Sequence, residues 1–212
     1  MKVIFDFDDV LFDTKAFKGK IFAGISKFNI DEDILKTLYE KHRKFFNIRK
    51  FFEEALSLSK ISVSEKEIEE ISNIVLHDLT GYVDERLVNL IHGLGKENCF
   101  ILSAGNEGFQ KDKMHSSGVV DVVHSEQTII VKDDKKETLR NICSEYLNES
   151  IIFIDDKERY IEDAVSIRMP NLFPVLYDEN GFEALNDVIK FCNERDKEMK
   201  SQNSSIQSIP MR

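Results

Sequence analysis

Five short apolar runs constrain this chain more than any other feature: Val3-Ile4-Phe5, Cys99-Phe100-Ile101-Leu102, Val119 to Val123, Ile151-Ile152-Phe153-Ile154 and Phe173 to Leu176. Each is too short for a core helix and rich in branched or aromatic side chains. A strand with one wet face alternates apolar and polar residues. An unbroken apolar run suits a strand buried on both faces, as in a parallel sheet. Asp121 and Pro174 interrupt two of the runs, which weakens them as strands. Helical repeats lie between the runs. Val83 to Leu94 puts Leu87, Leu90, Ile91 and Leu94 on one face, and Lys136 to Leu147 does the same with Leu139, Ile142, Cys143 and Leu147. Alternating strands and helices predict an α/β fold, a Rossmann-like three-layer arrangement with a parallel sheet between helices.

One region breaks the alternation. From Thr14 to Thr80 the periodicity is helical and no convincing strand occurs. Ile34, Leu35, Leu38 and Tyr39 share one helix face, and Phe51, Phe52, Ala55 and Leu56 another. Ser64 with Glu67 has the spacing of a capping box and opens a helix through Ile68, Ile71, Val75 and Leu76. The expected organisation is a core of residues 1–13 and 82–195, with an all-helical cap of residues 14–81 inserted after the first strand. From about Asp196 the chain turns polar, Ser-rich and aperiodic, so residues 196–212 are predicted to be a disordered tail.

Bulk properties exclude several classes. A net charge of −10 disfavours nucleic acid as a partner, because phosphate backbones select basic faces. No apolar run approaches the roughly 18 residues of a membrane span, and Asp6 interrupts the apolar stretch that a signal peptide would need. Three cysteines without paired spacing, Cys99, Cys143 and Cys192, suggest reduced thiols and a cytoplasmic protein.

In a parallel sheet, ligands bind outside the carboxyl ends of the strands. The residues expected there are chemically coherent. The first strand ends in Asp6, Asp8 and Asp9, the second in Ser103, Ala104, Gly105 and Asn106. The short Ile129-Ile130-Val131 run leads to Lys132, Lys135 and Lys136, and Ile154 leads to Asp155 and Asp156. Asp6 and Asp8 are one residue apart, so both can lean to the same side as the strand ends. Close carboxylates invite a divalent cation, and a hard, oxygen-rich site suits Mg²⁺. A carboxylate can act as nucleophile through an aspartyl-phosphate, while a second carboxyl protonates the leaving oxygen and then activates water. Gly105 suggests a tight turn whose backbone N–H groups face an anion.

"FDFDDVLFDT", "CFILSAG", a lysine opening a helix and "IIFIDD", in that order, resemble the four motifs of the haloacid dehalogenase (HAD) superfamily. The resemblance covers roughly residues 1–13 and 82–190, and the insert sits where that family carries a helical cap. It implies a Mg²⁺-dependent phosphatase acting on a small phosphorylated metabolite. Asp6 would be the nucleophile and Asp8 the general acid/base, with the Asp8 backbone carbonyl also on the metal. Ser103, with Ala104 and Gly105, would bind the phosphoryl oxygens. Asp155 and Asp156 would complete the metal ligands with Asp6 and Asp8. Lys135, four places before Leu139, fits the family pattern best, ahead of Lys136 and then Lys132. Members that cleave carbon–halogen bonds lack an acid at the Asp8 position, so the resemblance favours phosphate chemistry. A phosphotransferase such as a sugar-phosphate mutase could use the same core, and a phosphate-responsive interaction module uses similar residues without turnover.

Plainer roles are expected elsewhere. Asp9 and Asp13 suit solvated or capping acids. The basic and aromatic runs His42 to Phe46 and Arg49 to Phe52 suit helices with Phe inside and charge outside. The five histidines lack metal-ligand spacing.

Overall fold

The computed structural model describes residues 1–206, with side chains described through residue 201. Five strands, β1 (Lys2–Phe5), β2 (Cys99–Ala104), β3 (Thr128–Val131), β4 (Ile151–Asp155) and β5 (Leu172–Leu176), form one sheet in the order β3-β2-β1-β4-β5. All pairings are parallel. Alternation along each strand divides the core in two. Val3, Phe5, Ile101, Ile152 and Ile154 pack with Leu87 and Ile91 of α5 (Glu85–Leu94), Met114 of α6 (Glu107–Ser116), and Leu185 and Ile189 of α9 (Gly181–Ile206). Ile4, Phe100, Leu102 and Phe153 face Leu139 and Ile142 of α7 (Lys136–Glu145) and Tyr160 and Ala164 of α8 (Glu158–Ser166). The expected three-layer α/β architecture is therefore present.

Between β1 and α5 the chain is helical: α1 (Thr14–Gly24), α2 (Glu32–His42), α3 (Ile48–Leu58) and α4 (Glu65–Leu76). Asp13 caps α1, its carboxylate accepting from the Ala16 N–H at 2.8 Å. Ser64 and Glu67 form the capping box at the start of α4. Phe51 and Phe52 are fully buried between these helices.

Two expectations fail. Val119 to Val123 is not a strand. Gly118 turns the backbone at φ +74°, and Val119–Asp121 forms a single 3₁₀ turn. Val119, Val122 and Val123 are buried, a spacing of three and four that serves a turn, not a pleat. The polar segment from residue 196 to 206 is the last part of α9, and residues 207–212 lie outside the described residues. Asp196, where the tail was expected to begin, is instead anchored to the core. Its buried carboxylate accepts from the Ser150 N–H and hydroxyl and lies 3.3 Å from the N-terminal ammonium. Replacing it leaves a buried N–H without a partner. Asp196→Ala is expected to lose about 2 kcal/mol, a fall in Tm of roughly 4–8 °C for a domain of this size, measured by thermal denaturation.

Pro174 sits inside β5, which is tolerated because β5 is an edge strand. Tyr177 donates to the Asp155 carbonyl, so the odd-numbered residues of β5 face β4 and position 174 faces outward.

Candidate active site

The chain reverses direction across the sheet between β1 and β4, because the connections from β1 run out to β2 and β3 before β4 returns to the other side of β1. Such switch points open a crevice at the strands' carboxyl ends. Asp6 and Asp155 stand at this one, both buried. Asp156 joins them: one carboxylate oxygen from each of the three lies within 4.8 Å of the others. Lys135, the residue just before α7, is also buried and reaches both partners, 2.8 Å from Asp6 Oδ1 and 2.6 Å from Asp155 Oδ2. The Lys157 N–H donates to the other Asp155 oxygen at 3.0 Å.

The electrostatics follow from burial. Asp6 is pushed up to about 6 by loss of solvation and by Asp155, although Lys135 pulls the other way. Burial also raises Asp156. Burial opposes the charge on Lys135, but the flanking Asp6 and Asp155 win and raise it. Lys157 is raised on the same balance, with Asp6 and Asp156 its main partners. Three carboxylates against two ammonium groups leave this cluster short of positive charge.

Asp8 is held differently. Its side chain is outside the acidic cluster. Thr14 Oγ1 donates to Oδ1 at 2.8 Å, Gln110 Nε2 donates to Oδ2 at 2.6 Å, and the Lys113 ammonium forms a very short ion pair with Oδ1. Burial would raise the Asp8 carboxyl, but the Lys113 charge and these hydrogen bonds together hold it below the usual carboxylate range. Lys113 is itself buried, 5.1–5.3 Å from the ring centroids of Phe7, Phe12 and Phe109.

Ser103 is fully buried near the end of β2, and its hydroxyl has no hydrogen-bond partner among the described residues. Buried hydroxyls are normally satisfied, so an unsatisfied one at a strand's carboxyl end is suited to an anionic ligand, although Ser103 itself does not line the cavity. Ala104, Gly105 and Asn106 line the cavity beyond it. Gly105 departs from expectation in one respect. Its φ of +147° does require glycine, but its N–H already donates to the Val131 carbonyl at 2.9 Å and is not free for an anion. Of the other lysines considered, Lys136 pairs with Asp163 at 2.7 Å, away from Asp6, and Lys132 lies over the Phe45 ring. Asp9 lines the cavity in a left-handed conformation at φ 58°. No histidine joins a potential metal cluster among the described residues.

Four residues escaped the sequence reading: Thr14, Lys157, Gln110 and Lys113. Gln110 and Lys113 carried a faint signal: Lys113 follows Phe109 by four places and precedes Met114, so it stands on the apolar stripe of α6.

A hard-oxygen cluster with excess negative charge at the strand ends fits Mg²⁺ and the phosphoryl group such a cation binds. The architecture is the fold of the haloacid dehalogenase-like hydrolases. A protein of Burkholderia xenovorans LB400 described as a haloacid dehalogenase-like hydrolase aligns with 18% identity and a TM-score of 0.63, over 86% of this chain and 89% of that one. The HAD-hydrolase YfnB from Bacillus subtilis, solved bound to magnesium, aligns with 15% identity and a TM-score of 0.51, over 82% and 85%. A dehalogenase solved with an intermediate complex aligns with 11% identity and a TM-score of 0.57, over 85% of both chains. No family model and no curated protein matches the sequence.

Proposed function

We propose that the protein is a Mg²⁺-dependent phosphatase for a small phosphate monoester, with residues 14–81 acting as a cap over the site. The observation that carries this reading is the meeting of Asp6, Asp155, Asp156 and Lys135 at the carboxyl ends of β1 and β4. Asp6, Asp155 and Asp156, with the Asp8 backbone carbonyl, would hold the Mg²⁺, and YfnB offers a magnesium-bound precedent for this fold. Bound there, the cation offsets the repulsion between a carboxylate and a phosphate dianion.

The chain's own residues divide the remaining work. An Asp6 oxygen attacks phosphorus, and the bond to the leaving oxygen breaks. Lys135 and the Ser103 hydroxyl bind the phosphoryl oxygens as charge shifts onto them. Asp8 delivers a proton to the leaving oxygen. Water then attacks the aspartyl-phosphate, Asp8 takes the proton back, and inorganic phosphate leaves with Asp6 regenerated. Asp8 is ionised in the free protein, so it must gain a proton before the first step. A phosphate dianion entering beside it raises its proton affinity. The Asp8 carboxyl also distinguishes this site from the dehalogenating members of the fold, which lack an acid there.

The test is a screen of phosphate esters with Mg²⁺, run beside Asp8→Asn. The variant is expected to lose at least about 10²-fold in turnover of alkyl phosphates. With p-nitrophenyl phosphate, whose leaving group needs no proton, it should release a burst of up to one equivalent of nitrophenolate and then stall. Normal turnover of alkyl phosphates by Asp8→Asn would refute the acid/base assignment.

A further inference from the structure

The cavity that reaches the acid cluster at Asp156 has a volume of about 840 Å³, within the range of sites for whole metabolites. Apart from the strand-end residues Asp8, Asp9, Asp156 and Lys157, its wall is mostly cationic in a protein of net charge −10. Lys15, Lys18, Arg43 and Lys44 reach it from the helical insert, and Lys132 and Arg159 from the core. Glu40, Asp133 and Glu158 oppose them; Asp8, Asp9, Asp156 and Lys157 line the cavity as well, and the Lys15 charge acts on Asp9.

The pairing leaves charge over. Glu40 is shared between Arg43 at 2.8 Å and Lys18 at 3.7 Å. Asp133 is shared between Lys44 at 2.8 Å and Arg159 at 3.0 Å. Neither Lys15 nor Lys132 has a carboxylate within 4.0 Å among the described residues. The reacting phosphoryl group does not need these side chains, because Lys135 already serves Asp6. Lys18 is also fixed over the Tyr39 ring, 4.3 Å from its centroid, which gives an anion a placed partner. An acidic protein repels anionic solutes at long range, so a local excess of positive charge in its cavity is a recognition feature.

We propose that the substrate carries a second anionic group, a phosphate or a carboxylate, which this wall binds while the first phosphate is hydrolysed. The inference rests on the phosphatase reading for its reaction but on the wall alone for its binding preference.

Matched pairs test it: 3-phosphoglycerate against glycerol 3-phosphate, and fructose 1,6-bisphosphate against fructose 1-phosphate. The doubly charged member of each pair is expected to have a kcat/KM at least tenfold higher, carried by KM. The double variant Lys15→Gln with Lys132→Gln, and separately Arg43→Gln, should reduce that ratio to threefold or less. Equal kcat/KM within the pairs, or a ratio that survives both variants, overturns the proposal. Calorimetry on full-length Asp6→Asn protein with Mg²⁺ reads binding without turnover, and equal Kd values within a pair would likewise overturn it. A tenfold Kd preference in that protein, with no phosphate ester hydrolysed by the unaltered chain, would uphold the binding preference and sink the phosphatase reading.

Discussion

Asp6→Asn protein should fold, bind phosphate esters and release no phosphate, with turnover down on the order of 10⁴-fold or more. The size of the effect follows from chemistry: an amide cannot form the acyl-phosphate, and no second carboxylate stands in its place. Asp155 is held by Lys135 and the Lys157 N–H, and Asp8 by Thr14, Gln110 and Lys113. The same substitution should alter stability, with a sign fixed by burial. Asp6 is raised from 3.8 to about 6, so the folded protein holds that proton more tightly than the unfolded chain does. Its contribution to stability is full below pH 3.8 and is lost as pH climbs through about 6. The loss is on the order of 3 kcal/mol. Asn does not titrate. Without Mg²⁺, Asp6→Asn should therefore gain stability relative to the unaltered protein between pH 4 and pH 7. Added Mg²⁺, by satisfying Asp6, should shrink the difference. Thermal denaturation across pH, with and without the metal, measures both. A pH-independent difference would contradict the raised proton affinity that burial and the neighbouring Asp155 give Asp6.

Lys135→Met should be the second severe variant, and it should fail in two ways. Met keeps the volume and loses the charge. Asp6 and Asp155, both buried, would then face each other unpaired. Removing one partner of a buried ionic cluster costs about 3–5 kcal/mol, a fall in Tm of roughly 10 °C for a domain of this size. The loss should be largest near neutral pH and recover in acid, where the freed carboxylates protonate. Mg²⁺ should restore much of the stability but little of the turnover, because the cation cannot replace an ammonium aimed at the phosphoryl oxygens. Stability restored together with full activity would reduce Lys135 to a structural counter-ion. By contrast Lys136→Met should be nearly silent, since Lys136 pairs with Asp163 in a partly exposed position.

The parts of the fold set by local chemistry were legible in the sequence. Strands buried on both faces announce themselves as unbroken apolar runs, and β1, β2 and β4 lie where those runs fall. The Ser64–Glu67 capping box needed only its spacing. Val119 to Val123 misled because a buried turn and a buried strand can share one composition; only Gly118 and the spacing of the valines separate them. The helix through residue 206 misled because its anchor is non-local: Asp196 is fixed by Ser150 and the N-terminus. The acids at the strand ends could be read because topology dictates where strand ends meet. Lys113 left only a faint trace, its place on the apolar stripe of α6, because its partner lies 105 positions away on another element. The insert divides along the same line. Phe51 and Phe52 are the core aromatics that helical spacing implies, while Arg43, Lys44 and Phe46 line the cavity, a placement that only tertiary packing decides.

The outward-facing proline of β5 bears on how this protein behaves in company. A sheet margin with a full row of amide donors can recruit a strand from a neighbouring molecule and propagate into fibres. Here the row is broken near its middle by a ring nitrogen with nothing to donate. An incoming chain would lose a hydrogen bond at that point and meet a bulky ring in its place. One residue that made β5 hard to recognise thus also makes that margin of the sheet a poor template for a sixth strand.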